Sequence, residues 1–85
     1  MEIIETADFD SALGKLQLDA RRLYAVQKER FCENWRDPRL HIKKVKGLNL
    51  AFSFRVTRNY RVLFYFQDND TAIFFDVDHR KDVYQ

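Results

Sequence analysis

An α+β fold is what this sequence predicts, on three observations. Apolar residues recur at helical intervals in the first 37 positions, alternating and continuous apolar runs crowd into residues 48–77, and turn-forming clusters separate those runs. The architecture that follows is a small twisted antiparallel sheet of about four strands, with an N-terminal helical hairpin packed on one face. At 85 residues it makes one domain, 1–85.

The sheet half is the more legible. Leu48, Leu50, Phe52, Phe54 and Val56 are apolar at alternate positions, with Asn49, Ala51, Ser53 and Arg55 between them, which predicts a half-buried strand over Leu48–Val56. Thr57-Arg58-Asn59 supplies a turn. The almost wholly apolar run Tyr60–Phe66 then reads as a central strand covered on both faces. Gln67-Asp68-Asn69-Asp70 is a second turn, and Thr71–Val77 a third strand with Ile73, Phe75 and Val77 on one face. Arg55 and Arg61 lie either side of the first turn, which allows them to project near each other on neighbouring strands, and Arg80 leaves the end of the third run.

Ahead of the meander, Glu2–Glu5 reads as a further strand at its edge or interior. Thr6 offers a helix cap with Asp8 and Asp10 in the first turn, where the helix dipole favours carboxylates. Phe9, Leu13 and Leu16 form the stripe of a short helix, and Gly14 marks an unfavourable interior position or an early end. A second helix begins near Asp19, with Leu23, Val26 and Arg30 on one line and Tyr24, Phe31 and Trp35 on another; Cys32 within it reads as a small buried hydrophobe. It stops near Arg36, because Pro38 disfavours helical geometry at Asp37. His41–Gly47 is a basic connector or short edge strand.

Composition narrows the function classes. One cysteine excludes an internal disulfide, and two distant histidines add no metal-ligand spacing, so the expectation is a reduced, cytoplasmic protein with no metal and no cofactor. The longest apolar run, Val62–Phe66, is far short of the ~20 residues of a membrane span, and no signal-type segment opens the chain. The net charge of +2 is unevenly spread. Residues 38–67 hold seven Lys/Arg and no acid, against six Lys/Arg with eight acids before them and two with five acids after. Such a window is the electrostatic footprint of a polyanion site; the plain alternative is a solvated face paired with helix carboxylates.

Gly47-Leu48, Phe52-Ser53-Phe54-Arg55-Val56, Asn59-Tyr60-Arg61-Val62-Leu63-Phe64 and Asp78-His79-Arg80-Lys81-Asp82-Val83-Tyr84 together resemble the RelE/ParE superfamily of toxin–antitoxin toxins. These motifs cover about half the chain, and the strand and helical hairpin before them match the family's order of elements. RelE-like members are ribosome-dependent mRNA endonucleases neutralised by an antitoxin wrapped around them; ParE-like members poison DNA gyrase. The resemblance implies functional side chains at Arg61, Arg80 and Tyr84. Two lysines of the best-known members correspond to Ser53 and Arg55, so one cation is lost and the other is arginine.

RNA cleavage without metal needs the 2′-hydroxyl deprotonated, the pentacoordinate phosphate stabilised and the leaving oxygen protonated. Arginine stays charged, so Arg55, Arg61 and Arg80 are phosphate-binding candidates, while proton transfer falls to His79, to Tyr84, or to geometry imposed by the ribosome. Tyr84 alternatively stacks on a base or closes the core, and the plain alternative for His79 is a packed strand-end histidine. Arg39, Lys43, Lys44, Lys46 and Arg58 supply charge for the ribosome and mRNA backbone. Two other outcomes stay open at this point: a gyrase inhibitor without chemistry, and a detoxified homologue that still binds its antitoxin.

Overall fold

The computed structural model describes residues 1–79, so Arg80, Tyr84 and their neighbours lie outside the described residues. Along the chain come β1 (Glu2–Glu5), α1 (Ala7–Gly14), α2 (Leu18–Glu33), a 3-10 turn over Pro38–Leu40, β2 (Lys43–Lys44), β3 (Phe52–Arg55), β4 (Tyr60–Phe66) and β5 (Thr71–His79). Five strands form one sheet in the order β1-β5-β4-β3-β2. β2 to β5 form the antiparallel meander, whereas β1 lies parallel to β5, Glu2 opposite Thr71 and Glu5 opposite Phe74. The α+β class holds, with one strand more than the sequence predicts and one parallel pair. Because the chain leaves β1 for the helices and re-enters the sheet at the far edge, β1 meets the last strand of the meander rather than the first.

Thr6 caps α1 as expected, its Oγ1 accepting the Phe9 N–H at 3.1 Å, and Gly14 closes that helix. In α2 the inward stripe is Ala20, Tyr24, Gln27 and Phe31, spaced four, three and four apart. The other expected line fails: Leu23 is 48% and Val26 44% exposed. Cys32 is exposed too, since it follows core-facing Phe31 and each residue turns about 100° around the helix. α2 ends at Glu33, three residues early, and Asn34 turns extended, its side-chain oxygen accepting the Arg36 N–H. Trp35 thereby packs on Phe66, ring centroids 4.9 Å apart. Tyr24 donates to Glu5 at 2.5 Å and Lys28 to the same carboxylate at 3.1 Å, which ties α2 to β1. Burial, then the Glu5 bond, pushes the Tyr24 phenol far above its ordinary pKa.

Both helices pack on one face of the sheet. There Phe31 meets Phe64 and Phe74 edge-to-face at 5.0 and 5.1 Å and Phe54 at 5.6 Å, with Phe9, Tyr24 and Val62 around them. The outer face carries a smaller cluster of Val45, Ala51 and Leu63 with Phe75 against it. No helix among the described residues is long and apolar enough to cross a membrane.

Two strand expectations need correction. Only Phe52–Arg55 of the predicted Leu48–Val56 run is a strand. β2 doubles back to pair with β3, and the chain between them needs a loop, closed by Val45 N–H donating to the Ala51 carbonyl at 3.0 Å. Gly47 and Leu50 take positive φ of 88° and 61° there, and Leu50 ends 76% exposed while the small Ala51 and Ser53 are buried. In β5 a bulge sets Leu63 opposite Asp76 but Phe64 opposite Phe74. The extra residue, Phe75, stays on the outer face, and Val77, expected beside it, turns into the helix-side core.

Phe31→Ala should therefore cost about 3–5 kcal/mol in denaturant unfolding, and Leu23→Ala, on the exposed line of the same helix, about 0.5 kcal/mol or less. Comparable costs for the two would contradict the helix orientation.

Candidate functional site

The sheet face away from the helices gathers part of the basic window. Arg55 and Arg61 are direct cross-strand partners, as the sequence predicts, and Lys43 on β2 pairs with Ser53, so all four project from this outer face. Arg58 lies in the turn between β3 and β4, at the same end. Lys44 pairs with Phe52, a core-packed residue, and thus takes the opposite side of its strand from Lys43. Lys46 is exposed in the loop before Gly47.

Two like charges directly opposed on a sheet repel. Arg61 is held down against the outer face and is only 1% exposed, its Nε donating to Ser53 Oγ at 2.8 Å and its Nη2 to the carbonyl of His41. On its other side Arg61 pairs with Asp78 of β5, an opposite charge. Arg61, a phosphate-binding candidate in the sequence, is thus a buried group, and a buried guanidinium needs acceptors, which the serine hydroxyl and connector carbonyl provide. Arg55 is half-buried.

A second buried polar group works from the helix side. Gln27 donates its amide to the carbonyls of Arg39 at 3.0 Å and Arg55 at 2.7 Å, and its oxygen accepts from Arg30 at 3.0 Å. The connector before β2 is thus stitched to β3 from both faces, through Gln27 and Arg61. Arg39 itself forks onto Asp37, Nη2 to Oδ2 at 2.7 Å, so its charge is locally compensated. Asp37 also caps the 3-10 turn by accepting the Arg39 N–H, and the Arg39 bonds hold its carboxyl down at about 2.

His79 does not join the arginines. It pairs with Tyr60, whose ring lies 5.6 Å from it on the helix side, and it borders a pocket lined by Leu16, Lys15 and Asp76. Burial raises the Asp76 carboxyl above its ordinary range, with help from neighbouring Asp78 and Asp8. Among the described residues no three His, Cys, Asp or Glu side chains gather as a metal-binding set.

No family model and no curated protein sequence matches the chain. Solved structures do. The RelBE2 toxin–antitoxin complex of Mycobacterium tuberculosis contains a chain 31% identical, matched over 93% of this chain and 96% of that one, with a TM-score of 0.63. This chain belongs to the RelE/ParE superfamily. The RelB–RelE antitoxin–toxin complex of Methanococcus jannaschii matches a RelE/ParE protein of this kind at 27% identity over 96% and 95% of the two chains, TM-score 0.75. The YoeB/ParE toxin of Agrobacterium tumefaciens shares the fold at 9% identity, TM-score 0.77, over 94% and 99%.

In this RelE/ParE chain two structural supports of the basic region escaped the sequence reading. Gln27 was detectable as the one polar residue of the Ala20, Tyr24, Gln27, Phe31 stripe. Ser53 as an acceptor for Arg61 was not, because its partner depends on register.

Two outcomes follow. Ser53→Ala, leaving the buried Arg61 Nε without that acceptor, should destabilise the fold by roughly 1–3 kcal/mol in denaturant unfolding. The Asp37 carboxyl sits below its ordinary 3.8 in the folded chain, so its contribution is present above about pH 4 and is lost as pH falls toward 2. Thermal melts should accordingly show Asp37→Asn less stable than the parent near neutrality, with the gap closing through that window.

Proposed function

We propose that this protein is the toxin of a toxin–antitoxin pair and acts as a ribosome-dependent mRNA endonuclease. The observation that carries the reading is Arg55 directly opposite Arg61 on the sheet face away from the two described helices, in a RelE/ParE chain. A scissile phosphate on this face would meet the Arg55 guanidinium, with Lys43 and Arg58 nearby to hold the strand. The 2′-oxygen loses its proton and attacks phosphorus, the bond to the 5′-oxygen breaks, and that oxygen takes a proton, leaving a 2′,3′-cyclic phosphate. Cations on the equatorial oxygens favour the step because negative charge accumulates there. Since His79 stands on the helix side, the reading assigns the proton transfers to Tyr84 or to geometry imposed by the ribosome, with Arg80 as a further phosphate ligand. Both residues enter by resemblance alone.

The M. tuberculosis and M. jannaschii structures are toxin–antitoxin complexes, which supports a cognate antitoxin as the protein partner. An acidic, partly apolar antitoxin segment suits the seven-cation window. Ser53, standing where family nucleases carry lysine, favours a second reading in which the chain inhibits DNA gyrase without cleaving RNA, or has lost its toxicity.

The deciding experiment is cleavage of ribosome-bound message with 5′-end mapping. Cuts within translated frames are expected, unchanged by a chelator. Arg55→Ala should lower the rate about 10²-fold or more with little change in melting temperature. Arg61→Ala should lose both activity and roughly 2 kcal/mol or more of stability, since it strips partners from buried groups. Lys43→Ala should weaken binding modestly and flatten its salt dependence. DNA damage without RNA cuts would replace the nuclease by the gyrase reading, and full activity in Arg55→Ala would remove the phosphate role.

A further inference from the structure

On the outer face of β4 the residues alternate as Arg61, Leu63 and Tyr65, and they differ sharply in exposure. Arg61 and Leu63 are buried, while Tyr65 is 42% exposed with its ring 5.7 Å from that of Phe75 on β5. Leu50, thrust out by its positive φ, closes the other side. Leu48, Leu50, Ala51, Tyr65 and Phe75 thereby line an open apolar depression of about 340 Å³. Tyr65, next to the last residue of β4, is a large ring whose exposure the core does not explain. Its ring is partly supported by Phe75 and partly uncovered.

We infer that Tyr65, backed by Phe75 and flanked by Leu50, is a nucleobase-stacking subsite for the single-stranded RNA whose phosphates meet Arg55 and Lys43. The inference rests on the RNA reading of the same face and deepens it. Three things favour a base over another apolar occupant. The depression lies on the same sheet face as Lys43 and Arg55, which a nucleic acid satisfies with phosphates while its bases seek an aromatic surface. Tyr65 lies four residues from Arg61 along one strand, about 13 Å, a short reach along an extended RNA. The lining, finally, is mainly apolar, with the Tyr65 ring held against Phe75 at an angle of 46°; one exposed aromatic ring stacks any base and reads none, as a toxin acting on many messages requires.

The test uses the full chain and two probes, an oligoadenylate and an abasic ribose-phosphate chain of equal length and charge. Wild type should bind the oligoadenylate about tenfold more tightly, the size of one stacked base. Tyr65→Ala should erase that preference and Tyr65→Phe should keep it, while Lys43→Ala weakens binding to both probes alike. Equal binding of the two probes by wild type, no binding of either, or a preference that survives Tyr65→Ala overturns the subsite. So does Tyr65→Ala losing affinity for the antitoxin while the base preference stands, which would give the depression to the protein partner. Cleavage of ribosome-bound message is scored separately. A base preference that depends on Tyr65 without cleavage keeps the subsite and removes the nuclease, and cleavage without that preference does the reverse.

Discussion

A guanidinium almost wholly removed from water sits near the end of the central strand, and much of the outer half of this molecule is arranged to satisfy it. Arg61 cannot shed its charge, so its donors require acceptors at fixed places. One is the hydroxyl of Ser53 on β3, which sets the residue type at that position. Another is the carbonyl of His41, which the chain presents through a left-handed backbone at that residue, φ 50°, just after the 3-10 turn. The connector is in turn hooked from the helix side by Gln27. Loosening Arg61 would therefore affect the connector and the edge of the sheet that carries Lys43, not the arginine alone.

The two faces of the sheet divide the work. The helix side holds the aromatic cluster around Phe31, Phe64 and Phe74, and its tilted and edge-on ring contacts make it the main source of cohesion. Among the described residues the outer side has a small apolar cluster, and the same face carries Arg55, Arg61, Lys43 and the exposed Tyr65. The bulge in β5 reconciles the two. By inserting Phe75 it supports Tyr65 on the outer face, and it returns Val77 to the core two residues later.

Ser53 also stands where the resemblance places a lysine of the best-known family members. A lysine there would place a third cation beside Arg61 and Arg55 and remove the hydroxyl that accepts from Arg61. In this protein the serine makes a buried arginine tolerable, and Arg55 is left as the more accessible cation of the pair.

Local pattern was enough for much of this. The capped first helix, the central strand over Tyr60–Phe66, both turns of the meander and the Arg55–Arg61 juxtaposition were all readable from residue order, because each depends on neighbours a few positions apart. The family's motifs were readable for the same reason. What the tertiary structure alone decided are the features that depend on distant partners. β1 joins β5 in parallel, Leu48–Leu50 leave the strand for a loop, and Leu23, Val26 and Cys32 face solvent because the single-layer hairpin buries one helical stripe. Arg61 finds its acceptors at Ser53 and His41, and His79 falls on the far side from it. Alternation along a strand shows which residues share a face, but which face is covered, and what accepts a buried charge there, depends on register and on chain segments twenty residues away.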